Sequence, residues 1–203
     1  MTPLRLLVYD ATCTGGRLPV GLTHSWIAGQ YLYAGLGRFD GARGVRSWAE
    51  ALEWLGSFDR PIGQVQYWGH GKWGRVLVDR DVLDASALVP GHALHPALVK
   101  VRERLTDDAL WWFRTCDAFG ARVGHDFAER WTDFMGCDAA GHTFIIGVWQ
   151  SGLHRLSAGV RPHWDVAEGI REGTPEVPVR STWSRLRAPN TISCLAGAIP
   201  AGW

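Results

Sequence analysis

The chain has 203 residues, 46% of them hydrophobic and 20% charged, with a formal charge of +1; this is the profile of a globular domain long enough to bury a large core without metals or disulfides. It has no basic run to serve as an electrostatic footprint for nucleic acid or an anionic membrane, so neither partner is expected. No apolar run is long enough to span a bilayer, and the opening LRLLVYD is strand-like and too quickly polar for a signal peptide, so a cytoplasmic protein is expected.

Four widely spaced cysteines, Cys13, Cys116, Cys137 and Cys194, form no CxxC pair. Reduced thiols are therefore expected, with neither a zinc site nor a disulfide framework, and no cofactor is implied. The 25 glycines read as tight turns, and the 12 tryptophans mostly as core fillers.

In chain order, Leu4–Asp10 reads as a buried strand, followed by a glycine-rich loop from Ala11 to Gly21. Thr23–Ala34 has helical spacing with Ile27, Tyr31 and Ala34 on one face, and Gly35, Gly37, Gly41 and Gly44 then break the chain. Ser47-Trp-Ala-Glu50 is a capping box opening a helix with Trp48, Leu52 and Leu55 inward. Ile62–Trp68 is strand-like, Gly74–Leu83 an extended excursion or hairpin, and Pro96 opens a helix with Leu94, Leu98, Val101 and Leu105 on its apolar face. The run ALWWFRT before Cys116 reads as a strand buried on both faces. Gly124–Met135 follows as a helix with Phe127, Trp131 and Phe134 inward, ended by Gly136, and His142–Gln150 as a further strand.

Strands alternating with helices predict an α/β three-layer sandwich around a mostly parallel sheet. A single domain over 1–203 is expected: an α/β core of 1–150 and a loop-rich C-terminal segment of 151–203. That segment holds five of the ten prolines, with an edge strand expected in Thr191–Ile199.

Two residues fall at predicted strand ends, His70 after Val65-Gln-Tyr-Trp-Gly and Cys116 after Leu110-Trp-Trp-Phe-Arg-Thr. Carboxyl ends of strands are where open α/β sheets collect ligands. A cysteine peptidase needs a thiol nucleophile, a histidine to handle its proton, and backbone N–H groups for the oxyanion. Were the two strands adjacent and parallel, both side chains would emerge at one edge, with the N–H groups of Gly71 and Cys116 as oxyanion donors.

In Tyr67-Trp-Gly-His70-Gly71 and Phe113-Arg-Thr-Cys116-Asp-Ala-Phe-Gly120 the sequence resembles the caspase-like cysteine peptidases: caspases, metacaspases, legumains and gingipains. The order strand-His-Gly, excursion, helix, strand-Cys, helix is theirs, and the separation is close to the ~50 residues between the pair in caspases. The resemblance implies a caspase-like fold over roughly residues 4–150 and a His70/Cys116 dyad acting on a protein or peptide substrate, with a homodimer or a partner protein left open. It also implies a pocket for the side chain before the scissile bond, to which Arg114, two before the cysteine, and Arg17, in the loop after the first strand, contribute. An arginine fork suits a carboxylate, so cleavage after acidic residues is expected. Asp117 and Trp149 complete the expected substrate-lining set.

Two rival readings stay open. Cys116 to Arg122 fits C-x5-R, a phosphatase loop spacing, and a silent interaction module could use a tryptophan rim of Trp68, Trp73, Trp111, Trp112 and Trp149. His24, His125 and His142 read as structural. His92-x-x-His95 lacks a completing ligand, and Cys13 competes with Cys116 as nucleophile or lines the substrate.

Overall fold

A computed structural model describes residues 2–15 and 21–203. The first strand, β1 (Leu4–Asp10), is buried on both faces, with Leu4, Leu6 and Val8 on one side and Leu7 on the other. Helix α1 (Leu22–Gly35) forms where expected but turns a different face inward. Tyr31 is 69% exposed while Tyr33 is buried against Trp68 and Phe39 at ring distances of 5.4 and 5.8 Å. The apolar residues of α1 are spread around its circumference, so sequence spacing names no single face, and the Tyr33 ring is what seats it.

Strand β2 (Gly41–Val45) lies within the glycine-rich stretch read above as repeated breaks. Gly44 fits there because a Cβ would come 2.7 Å from the Tyr9 ring on the neighbouring strand. Helix α2 (Trp48–Gly56) is capped as expected, the Ser47 hydroxyl accepting from the Glu50 N–H at 3.1 Å. After β3 (Ile62–Trp68) come three short antiparallel strands, β4 (His70–Gly71), β5 (Val76–Val78) and β6 (Asp81–Leu83). Hydrogen bonds tie them to the main body: Trp48 Nε1–H to the Val76 carbonyl, the Trp48 N–H to the Asp81 carboxylate, the Tyr67 hydroxyl to the Leu77 carbonyl, and the Asp79 N–H to the Asp10 carboxylate.

Helix α3 (His95–Arg102) has its proline in the first turn and buries Leu98 and Val101. Strand β7 (Leu105–Arg114) starts earlier than the aromatic run suggests: it pairs through Leu105, bulges past exposed Asp107 and Asp108, and resumes at Leu110. Helix α4 (Ala121–Met135) buries Phe127 and Trp131 and ends at Gly136, whose φ of 64° needs no Cβ penalty.

The next parallel strand is β8 (Asp138–His142), not the apolar His142–Gln150 run. Small residues fill it because aromatics crowd that position; a Cβ on Gly141 would sit 2.6 Å from the Phe119 ring. Residues 143–148 instead cross the sheet edge, leading to β9 (Trp149–Gln150) and then to β10 (Leu153–Leu156), which pairs antiparallel with β8. The C-terminal segment thus supplies the sixth strand of the main sheet. It also forms a hairpin, β11 (Ile170–Gly173) with β12 (Pro178–Ser181), and β13 (Ile192–Ser193), which pairs antiparallel with β9 inside the expected edge-strand range.

The main sheet runs β2-β1-β3-β7-β8-β10, parallel except for β10. Helices α2, α3 and α4 cover one face, burying Trp48, Leu55, Leu98, Phe127 and Trp131 against it. The other face is covered by α1 and by Ile192, Ala196, Ile199 and Trp203, which pack on Trp112, Ala140 and Leu153. The architecture is mixed α/β with a mostly parallel central sheet, compatible with a three-layer sandwich. Among the described residues no helix is long and apolar enough to cross a membrane.

Two truncations on α1 check which face it buries. Tyr33→Ala removes a buried ring and its hydroxyl contacts and is expected to cost about 3–5 kcal/mol in denaturant unfolding. Tyr31→Ala, two residues away, is expected to cost less than about 0.5 kcal/mol.

Candidate active site

β3 and β7 are adjacent and parallel, with Trp68 in register with Arg114, so His70 and Cys116 leave the sheet two residues later at the same edge. The two departing turns hold each other. The Trp73 N–H donates to the Asp117 carbonyl at 3.0 Å and the Gly74 N–H to the Ala118 carbonyl at 2.9 Å. Trp73 and Asp117 both sit at positive φ, 37° and 36°, a backbone cost that the mutual hydrogen bonds offset. Gly71 lies against the other turn so closely that a Cβ would come 2.6 Å from the Cys116 carbonyl oxygen. No hydrogen bond among the described residues takes up the Cys116 N–H.

The His70 ring is half-buried and packs edge-on against Trp26, centroids 5.8 Å apart. The half-buried Cys116 thiol donates a long hydrogen bond, 4.0 Å, to the Ile146 carbonyl. Burial, reinforced by the neighbouring Asp117 charge, pushes the thiol up to about 11. That direction favours the thiol over the thiolate.

Asp117 is buried, with its carboxylate receiving the Ser181 hydroxyl from β12. Burial raises its pKa to about 6, against the opposing pull of the Ser181 hydrogen bond and the Lys72 charge. It packs beneath the turn, its polar partner being Ser181.

Arg114 is 5% exposed and spends every donor inside the protein. Nε and Nη2 donate to Gln150 Oε1 at 3.1 and 2.8 Å, Nη1 to the Tyr33 hydroxyl at 3.4 Å and the Ala196 carbonyl at 3.1 Å, and Nη2 to the Cys194 carbonyl at 3.0 Å. The guanidinium lies 4.5 Å from the centroid of the Trp112 ring and 5.6 Å from that of Trp68. No carboxylate is among these partners. Burial pulls its pKa down, partly offset by the Tyr33 hydroxyl.

Trp149 stands at the same edge, 39% exposed and next to Gln150. Arg17 lies outside the described residues. Of the five tryptophans expected to form a rim, Trp68, Trp111 and Trp112 are buried in the core, because alternate β3 and β7 side chains point into packed layers on both faces. Spacing did not single out Tyr33, Gln150, Lys72 or Ser181; all lie far in sequence from the residues they serve, and no local pattern marks them.

The C-x5-R stretch does not form an anion cradle. The N–H groups of Asp117, Phe119 and Gly120 donate to the carbonyls of Phe144, His142 and Asp117, and Arg122 is an exposed residue paired with Glu176. His142 is buried, its Nδ1 bonded to the Ser151 carbonyl, and burial drives its pKa down to about 3. Cys13 is half-buried, and among the described residues no cluster of three or more His, Cys, Asp or Glu is placed to hold a metal.

In comparison with known proteins, no family, no curated protein and no solved structure matches this chain.

The raised Asp117 pKa has a stability consequence. The folded chain holds that proton more tightly than the unfolded one, so stability from this group is present at about pH 4 and is lost as pH rises through about 6. Asp117→Asn keeps the turn, since asparagine tolerates positive φ. It is expected to flatten this slope and add about 2–3 kcal/mol at pH 8, measured by urea unfolding at pH 4 and pH 8.

Proposed function

We propose that the chain is a caspase-like cysteine endopeptidase in which His70 and Cys116 form the dyad. The observation that carries this reading is their emergence from neighbouring parallel strands into turns that hydrogen-bond one another. In this reading a peptide carbonyl enters at the edge where the two turns leave the sheet.

Because the resting thiol is neutral, His70 acts as a general base as substrate arrives. It takes the Sγ proton while sulfur attacks the scissile carbonyl carbon, and the developing oxyanion is held by the N–H groups of Cys116 and Gly71. His70 then returns the proton to the departing amine. Water, deprotonated by the same histidine, attacks the thioester carbon, releasing the acid and restoring the thiol.

The preference before the cut is for Asp or Glu. Arg114 supports it, being a cation at the edge without a carboxylate partner, so a substrate carboxylate can take the place of the Cys194 and Ala196 carbonyls. Gln150 and Tyr33 would orient the guanidinium, and Trp68 and Trp112 wall it.

A peptide library tests the reading. Cleavage after acidic residues is expected and should be lost at least 100-fold in Cys116→Ala and in His70→Ala. Cleavage after Lys or Arg would sink the acidic preference, and a library left intact by the chain would favour a silent module. Gly71→Ala is expected to force the histidine turn off the cysteine turn and to lower kcat at least tenfold while costing about 1–3 kcal/mol of stability. Alkylation of Cys116 in the free chain should be slow at pH 7 and rise with pH toward about 11.

A further inference from the structure

The last segment of the chain is held at the candidate site by its backbone, beside the apolar packing of Ile192, Ala196, Ile199 and Trp203. Ile192 and Ser193 pair antiparallel with Gln150 and Trp149, and the Cys194 N–H donates to the Val148 carbonyl at 2.8 Å. Three successive carbonyls then meet side-chain donors. Cys194 and Ala196 receive Arg114 Nη2 and Nη1 and the Tyr33 hydroxyl, and Leu195 receives Arg38 Nη1 at 2.9 Å. The edge strand occupied this way continues the crossing segment whose Ile146 carbonyl accepts from the Cys116 thiol.

We propose that the Val148–Gln150 edge, with Arg114, Tyr33 and Arg38, is a docking site for one extended peptide strand, and that the chain's own Thr191–Ala196 occupies it as a displaceable stand-in. The role of substrate for the incoming strand rests on the peptidase reading; the docking of a strand does not.

Three features carry the assignment. The recognition reads the main chain: Leu195 is 60% exposed and Cys194 half-exposed while their carbonyls are held, so another extended chain would find the same donors. The ladder to β9 is two residues long, so little pairing is lost on exchange. Removing the segment frees one donor on each terminal nitrogen of a buried guanidinium that has no carboxylate partner, the pair that a carboxylate engages in a fork. Strand pairing and the side-chain pocket then act on one ligand, an extended peptide with an acidic side chain at the Arg114 position.

The probe is a fluorescein-labelled peptide of residues 190–203, tested by anisotropy against the full chain, the full-length double variant Tyr33→Phe/Arg38→Ala, and a chain ending at Ala188. The double variant withdraws side-chain donors from the segment and leaves Ile192 and the apolar contacts in place. Hydrogen exchange at the Cys194 amide is expected to quicken at least tenfold in the double variant. The peptide should bind the shortened chain at least tenfold more tightly than the full chain, and Arg114→Gln in the shortened chain should weaken binding at least tenfold. Should the shortened chain fail to fold with Trp112, Ala140 and Leu153 uncovered, the double variant decides. Unchanged Cys194 exchange there overturns the proposal. Strand docking without cleavage of any peptide sinks the peptidase and leaves the site. Hydrolysis by the full chain that the added segment fails to inhibit does the reverse.

Discussion

A guanidinium taken out of water must find a partner for each of its five donors within the protein, since an unpaired buried charge costs several kcal/mol. Arg114 finds them on stretches brought together from across the sequence: Tyr33 on α1, Gln150 on β9, and the carbonyls of Cys194 and Ala196. Trp68 and Trp112 supply aromatic faces around it. The placement of α1, the crossing segment and the C-terminal segment therefore depends on one side chain at the end of β7. The second face of the sheet, which carries a single helix, is closed around this cation rather than around a continuous apolar layer.

The opposite constraint governs the edge that carries His70 and Cys116. There the backbone carries the cost: Trp73 and Asp117 are held in left-handed conformations, and the two turns survive because each satisfies the other. Gly71 permits the approach, since any side chain would meet the Cys116 carbonyl. The outcome is a histidine and a thiol fixed on rigid strand ends, with the thiol kept neutral by burial and by the buried acid beside it. A thiol in that state is quiet toward solvent.

Much of the frame was legible because its signals are local. The capping box at Ser47, the proline in the first turn of α3, the left-handed Gly136 and the apolar runs of β1, β3 and β7 each state a backbone preference within a few residues. The strand-end placement of His70 and Cys116 followed from those runs. What escaped was set by packing at a distance. β8 is built from Ala139, Ala140 and Gly141, which have poor strand propensity and are there because Phe119 fills the space above them. The more apolar residues 143–148 crossed the edge instead. The inward face of α1 and the partners of Arg114 were equally invisible, since the Tyr33 hydroxyl meets the tail 161 positions away and Arg114 meets it 80 and 82 positions away.

Those separations bear on how the molecule is made as well as on what it does. Tyr33 meets Cys194 and Ala196 across 161 and 163 positions, and Arg38 meets Leu195 across 157. Closing a loop of that length costs entropy that the intervening sheet, once formed, has already met in large part. Without the tail, Arg114 would stand at the end of the sheet with two donors in need of partners. The parallel core and the strand-end pair make their own pairings without the tail, and the edge beside them is closed by the contacts that span the longest stretches of chain.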